Sequence, residues 1–336
     1  MKRRAIGFAL VALAALQQTA ALASDSIVIK FSHVTAKNTP KGKAAEYFKK
    51  LAEERTSGNV VVEVYPNSVL YKDGEELEML QLGAVQMLAP SLAKFGPLGV
   101  REFEVFDLPF LFDGYDDLHK VTQGPVGEAL LKKLEAKGIT GLAFWDNGFK
   151  VMSANRPLRL PEDFKGLKMR IQSSKVLDQE MRDLGAMPQV TALSEAYQAL
   201  QTGVVDGTEN PPSNLYTQRM HEVQKYVAVS NHGYLGYAVI VNRVFWSGLP
   251  PTIRRTLEGA MRDATVYVNQ VAKQENDDAL EAVRNAGRAQ VYTLSAEERL
   301  AWKKVLLPVH REQAPRIGRD TIDAIYKATG FDPSKL

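Results

Sequence analysis

Residues 27–66 read IVIKFSHVTAKNTPKGKAAEYFKKLAEERTSGNVVVEVYP, and this stretch decides the fold class. Ile27, Ile29 and Phe31 fall at alternate positions, the period-two signature of a half-buried strand. Thr39-Pro40 supplies a helix N-cap and the residue best suited to a first helical position. Ala44, Ala45, Phe48, Leu51 and Ala52 then line one helical face up to Gly58. Val60 to Tyr65 is rich in β-branched residues and stops at Pro66, so a second strand follows. A strand–helix–strand unit of this kind implies an α/β fold with a largely parallel sheet.

The same alternation runs outward along the chain. Leu77 and Leu80 mark a helix stopping at Gly83, and Val85 to Ala89 returns as a strand. Val126 to Lys137 reads as a helix capped by Gly138, with Ile139 to Trp145 as the next strand. A second set begins with a strand at Leu167 to Ile171, a helix from Ser174 to Leu184 and another from Ser194 to Thr202. Pro250-Pro251 opens an unbroken helical stretch to about Ala286, ended by Gly287. Few globular helices are that long, so this one is expected to cross between two domains. Ser295 with Glu298 makes a capping box for a C-terminal helix. There is no Gly/Ser linker, so the two domains are expected to enclose a ligand cleft, where small-molecule sites prefer to lie.

The N-terminus sets the compartment. Lys2, Arg3 and Arg4 precede an apolar run from Ala5 to Leu16, and Ala21-Leu22-Ala23 stands before Ser24. That is the layout of a secretory signal peptide cleaved after Ala23, and the run is short of the roughly 20 residues of a membrane span. The chain has no cysteine, so neither a disulfide framework nor a lipoprotein anchor is available. Loss of Lys2, Arg3 and Arg4 brings the 42 basic residues level with the 39 acidic ones. A neutral mature surface argues against nucleic acid or anionic membrane as the main partner. A soluble periplasmic protein of about two domains is expected.

Enzyme signatures are missing: the chain contains no P-loop, nucleophile elbow, HExxH or dinucleotide fingerprint. His33, His119, His221, His232 and His310 are scattered without metal-ligand spacing, so no metal or cofactor is expected. Glu75-Glu76 and Asp116-Asp117 stand at helix starts, where the helix dipole accounts for them. A catalytic triad assembles only in space, so a periplasmic enzyme remains an alternative.

Leu167-Lys168-Met169-Arg170-Ile171 and the segment Ser194 to Pro211, with Asp206-Gly207-Thr208-Glu209-Asn210-Pro211 at its end, carry a family resemblance. Together with Asp107-Leu108-Pro109-Phe110-Leu111-Phe112, Tyr65-Pro66-Asn67-Ser68 and Glu222-Val223-Gln224-Lys225, they resemble the solute-binding proteins of tripartite ATP-independent periplasmic (TRAP) transporters, DctP type. The resemblance covers nearly all of the mature chain. It implies a periplasmic binding protein-like fold, with 24–147 plus 236–275 in one domain and 148–235 plus 276–336 in the other.

It also implies that Arg170 forks onto a ligand carboxylate, which suits a planar guanidinium, and that Asn210 bonds the same end. Lys150 falls where relatives often place a second basic residue. Ser91, Lys94 and Lys37 follow domain-one strands, at the strand ends where α/β sheets bind ligands. Ser173 offers a hydroxyl beside Arg170. Relatives that bind sialic acid carry an acid near the Ser91 position; serine beside Lys94 favours a second anionic group on the ligand. Leu193 stands where many relatives have an aromatic residue, which leaves Trp145 and Phe149 as candidate aromatic wall, with core packing the main reading for Trp145. The expected function is capture of a small dicarboxylate for a TRAP membrane permease. A uronate, keto acid or other monocarboxylate is the alternative ligand, and a sensor kinase the alternative recipient.

Overall fold

The computed structural model describes residues 26–334. The leader reading, Lys2 to Ala23 with cleavage before Ser24, lies outside the described residues. Eleven strands follow in chain order among the described residues: β1 (Ile27–Ser32), β2 (Val60–Tyr65), β3 (Met87–Leu88), β4 (Ile139–Phe149), β5 (Val151–Ala154), β6 (Lys168–Ile171), β7 (Met187–Val190), β8 (Gly207–Asn210), β9 (Tyr226–Val229), β10 (Tyr234–Asn242) and β11 (Gln290–Thr293). They form two sheets, ordered β2-β1-β3-β10-β4 and β11-β9-β5-β8-β6-β7.

The first unit folds as its sequence dictates. β1 and β2 pair in parallel, Ile27 opposite Val60 through Ser32 opposite Tyr65. The helix between them, Pro40–Arg55, starts on the Thr39 cap and buries Ala44, Ala45, Phe48, Leu51 and Ala52. The sheets are mixed rather than largely parallel. β10 runs antiparallel to β3 and β4, and β5 antiparallel to β8 and β9. These reversals are where the chain changes sheets: β4 passes to β5 through Lys150 alone, and β9 returns to β10 through residues 230–233. The two crossings are tied together, Lys150 N donating to Gly233 O at 2.9 Å.

The long helix spans Pro251–Asn285, 35 residues, and buries Leu257, Ala260, Met261, Ala264, Val268, Ala272, Asn276, Ala279 and Val283 along one face. That apolar stripe is what holds it against both units. Thr265 and Asn269 bond Trp145 and the Asp146 amide of β4 at 2.9 and 3.0 Å. Asn276 donates to Asn147 O at 2.8 Å and accepts from Ser213 N, on the second unit's side, at 3.0 Å. The end of the chain contacts both units. Strand β11 pairs in the second sheet. The last two helices, Pro308–Ile317 and Arg319–Thr329, instead bury Val309, Ala314, Ile317, Ile322 and Ile325 in the core under Leu118 and Val121 of the first unit. No helix among the described residues is long and apolar enough to cross a membrane.

Candidate functional site

The carboxyl ends of β1, β3, β6 and β8 converge on a narrow cavity between the two sheets. The first-sheet side contributes Val34, Thr35, Lys41, Asp73, Ser91, Lys94, Leu235 and Tyr237. The second contributes Arg170, Gln172, Leu193, Asn210 and Asn214. Contacts cross between the halves at its rim. Ser91 Oγ donates to Gln172 Oε1, the Leu193 amide donates to Asp73 Oδ2 at 2.7 Å, and Lys72 pairs with Glu195 at 2.8 Å.

Arg170 is buried, and its Nε donates to Thr191 O at 2.8 Å. Neither terminal guanidinium nitrogen has a hydrogen-bond partner among the described residues, so the fork remains available to a ligand. Asn210 closes β8 beside it, its Nδ2 3.3 Å from Thr208 Oγ1. Asn214, one helical turn on, has a buried Oδ1 without a partner. Lys94 lies opposite, fully engaged by Asp73 at 2.5 Å and by Glu76. Burial works against the Lys94 charge, but these two carboxylates outweigh it and raise its pKa. Asp73 is held below the usual range: burial opposes this, and Lys94 and Arg170 overcome it. Glu76, fully buried, is raised by that burial.

Four of the seven residues read from the sequence, Arg170, Asn210, Ser91 and Lys94, meet in this cavity. The other three do not. Lys37 points outward, its side chain 69% exposed and paired with Glu46 at 3.1 Å. Ser173 is exposed, in the bend between the end of β6 and the Ser174 cap of the next helix. Lys150 turns into the protein behind the cavity, where its ammonium meets Glu209 at 2.9 Å. Glu209 also bonds His232 Nε2 at 3.1 Å, while His232 Nδ1 meets Ser230 Oγ at 2.7 Å. Burial alone pushes Glu209 up, but Lys150 and His232 together hold it below its ordinary value.

Neither aromatic candidate lines the cavity, and the core reading of Trp145 holds. Trp145 is core, packed 5.9 Å from Phe31, and Phe149 packs on Tyr115 and Tyr234; Tyr237 is the ring at the cavity. Glu180, Glu209 and His232 bring possible metal-ligand atoms within 4.8 Å of one another. The Glu209 and His232 atoms are, however, already engaged by Lys150, each other and Ser230. Lys41, Thr35, Asp73, Gln172, Asn214 and Tyr237 were not singled out in the sequence. Gln172 carried a signal, since it lies two positions from Arg170 and so on the same face. Lys41 carried another: a lysine in a first helical turn opposes the helix dipole.

The model of the bacterial extracellular solute-binding proteins of family 7, the DctP family, matches residues 31–316. The chain belongs to this family. As a DctP-family member it is a solute-binding protein of a transport system and not an enzyme. It is 66% identical over 331 residues to the C4-dicarboxylate-binding periplasmic protein DctP of Rhodobacter capsulatus, spanning 98% of this chain and 99% of that protein. Among solved structures it resembles a TRAP periplasmic solute-binding protein from Shewanella oneidensis with bound succinate (TM-score 0.88, 41% identity, 90% of this chain and 99% of that one). A Pseudomonas aeruginosa counterpart with bound L-malate gives a TM-score of 0.83 at 45% identity, over 85% of this chain and 99% of that one.

Proposed function

We propose that this DctP-family chain captures a C4 dicarboxylate in the cavity between its sheets and delivers it, in the periplasm, to a TRAP membrane permease. The observation that carries the reading is the pairing of an unsatisfied Arg170 fork beside Asn210 with further cations on the facing wall. Arg170 and Asn210 take one carboxylate as charge-assisted hydrogen bonds, and the first-sheet side takes the other. The Rhodobacter capsulatus relative, named for C4-dicarboxylate binding, and the neighbours holding succinate and L-malate support the same ligand class.

Export rests on the leader at Lys2 to Ala23, and the permease on family membership. A ligand that bridges the two halves favours the closed arrangement in proportion to its contacts with both, which gives the permease a surface to distinguish loaded from empty protein. The test is calorimetry of the purified protein against succinate, fumarate, malate, pyruvate and galacturonate. Saturable binding of the three diacids, with pyruvate and galacturonate weak, is the expected result. Preference for galacturonate or pyruvate would transfer the site to a monoacid.

A further inference from the structure

The cavity holds three cations that are not equivalent: Arg170, Lys94 and Lys41. Lys94 is already neutralised by Asp73 and Glu76. Lys41 is not. It is fully buried in the first turn of the Pro40–Arg55 helix, and no carboxylate among the described residues comes within 4.0 Å of its ammonium. Its Nζ donates to Ala89 O at 2.9 Å and sits 3.8 Å over the ring of Tyr237. A backbone clamp fixes it there. Thr39 Oγ1 accepts from Gly42 N at 3.2 Å, and a Cβ on residue 42 would come within 2.4 Å of Lys37 O, so only glycine closes this turn. A buried ammonium is costly without an anion, and Lys41 lines the cavity.

We infer that Lys41 is the cation that takes the ligand's second carboxylate and thereby separates diacids from monoacids. The inference rests on the diacid reading above. With Lys94 held by Asp73 and Glu76, Arg170 and Lys41 are the cations that face the two ligand carboxylates.

The pairing has a signature in protons. Burial, and then repulsion from Lys94, pulls Lys41 down to about 7, against the weaker opposing pull of Glu76 and Asp73. His33, the nearest imidazole, is held at about 3 by burial and then by Lys41, and burial raises Tyr237, so neither titrates in this range. A carboxylate placed against Lys41 raises it again. Above about pH 7 a diacid therefore binds with uptake of a proton, and its affinity falls as pH rises.

Calorimetry with succinate and butyrate, in buffers of differing ionisation enthalpy at about pH 6 and pH 8, tests this on wild type and Lys41→Met. Wild type is expected to take up close to one proton per succinate at the higher pH and almost none at the lower. Lys41→Met is expected to lose about 10- to 100-fold in succinate affinity, the worth of one charge-assisted bond, while butyrate binding barely changes. A variant that keeps the wild-type preference for succinate over butyrate overturns the inference. Should Lys41→Met fail to fold, the wild-type measurement decides alone, and succinate binding without proton uptake at pH 8 overturns it. Wild type that binds no succinate at all sinks the diacid reading itself.

Discussion

Arg170→Lys separates the fork from the charge. In the wild type, Nε is committed to Thr191 O at 2.8 Å, which leaves both terminal nitrogens for a carboxylate. Each such bond contributes roughly 1.5–3 kcal/mol. Lysine keeps one point contact but loses the second arm, and it strands a carbonyl at Thr191 that the guanidinium satisfied. The loss of the second arm, with part of the cost of that carbonyl, amounts to about 2–4 kcal/mol, or roughly 30- to 1,000-fold in Kd. Calorimetric titration of succinate into the variant measures this, with thermal unfolding run alongside to show that the fold survives. A well-folded Arg170→Lys protein binding succinate within about threefold of wild type would refute the two-armed grip.

Two further perturbations probe the frame around the site. Lys150→Met removes the fully buried ammonium from Glu209 and leaves that carboxylate with its His232 bond but no cation in contact, so urea unfolding is expected to show a loss of about 3–5 kcal/mol; a change below about 1 kcal/mol would mean the pair is not charged. His119 bonds Asp146 at 2.6 Å, and that bond raises its pKa against a smaller opposing effect of burial. Because the folded value is the higher one, the stabilisation is full below about pH 6.5 and disappears as pH rises through the folded value. The unfolding temperature of wild type should therefore fall over that window relative to His119→Gln, and parallel curves for the two would count against the pair.

The fold was legible wherever local chemistry and global packing agree. Residues 27–66 carry cap, periodicity and turn signals that point one way, and the helix Pro251–Asn285 announces itself by a proline at its start and a glycine past its end. β10 was not legible, because all nine of its residues are buried and a continuous apolar run has no period to read. The helices of 308–329 declare their own amphipathic faces, but nothing local says which core those faces will join. At the site, Arg170 and Asn210 were readable from their motif. Lys150 was misplaced because a one-residue crossing between sheets reverses which side a side chain takes. Lys37 and Lys41 lie four residues apart around one helix cap, and only the fold shows that the second faces inward.

The central claim is that one diacid bridges the two halves inside this cavity. Crystallisation with succinate and an electron-density map of the cavity test it directly. The expected map shows one carboxylate forked on Arg170 with Asn210 beside it, and the other against Lys41 over Tyr237. Succinate bound elsewhere on the protein, or bound in the cavity with Arg170 untouched, would contradict the account.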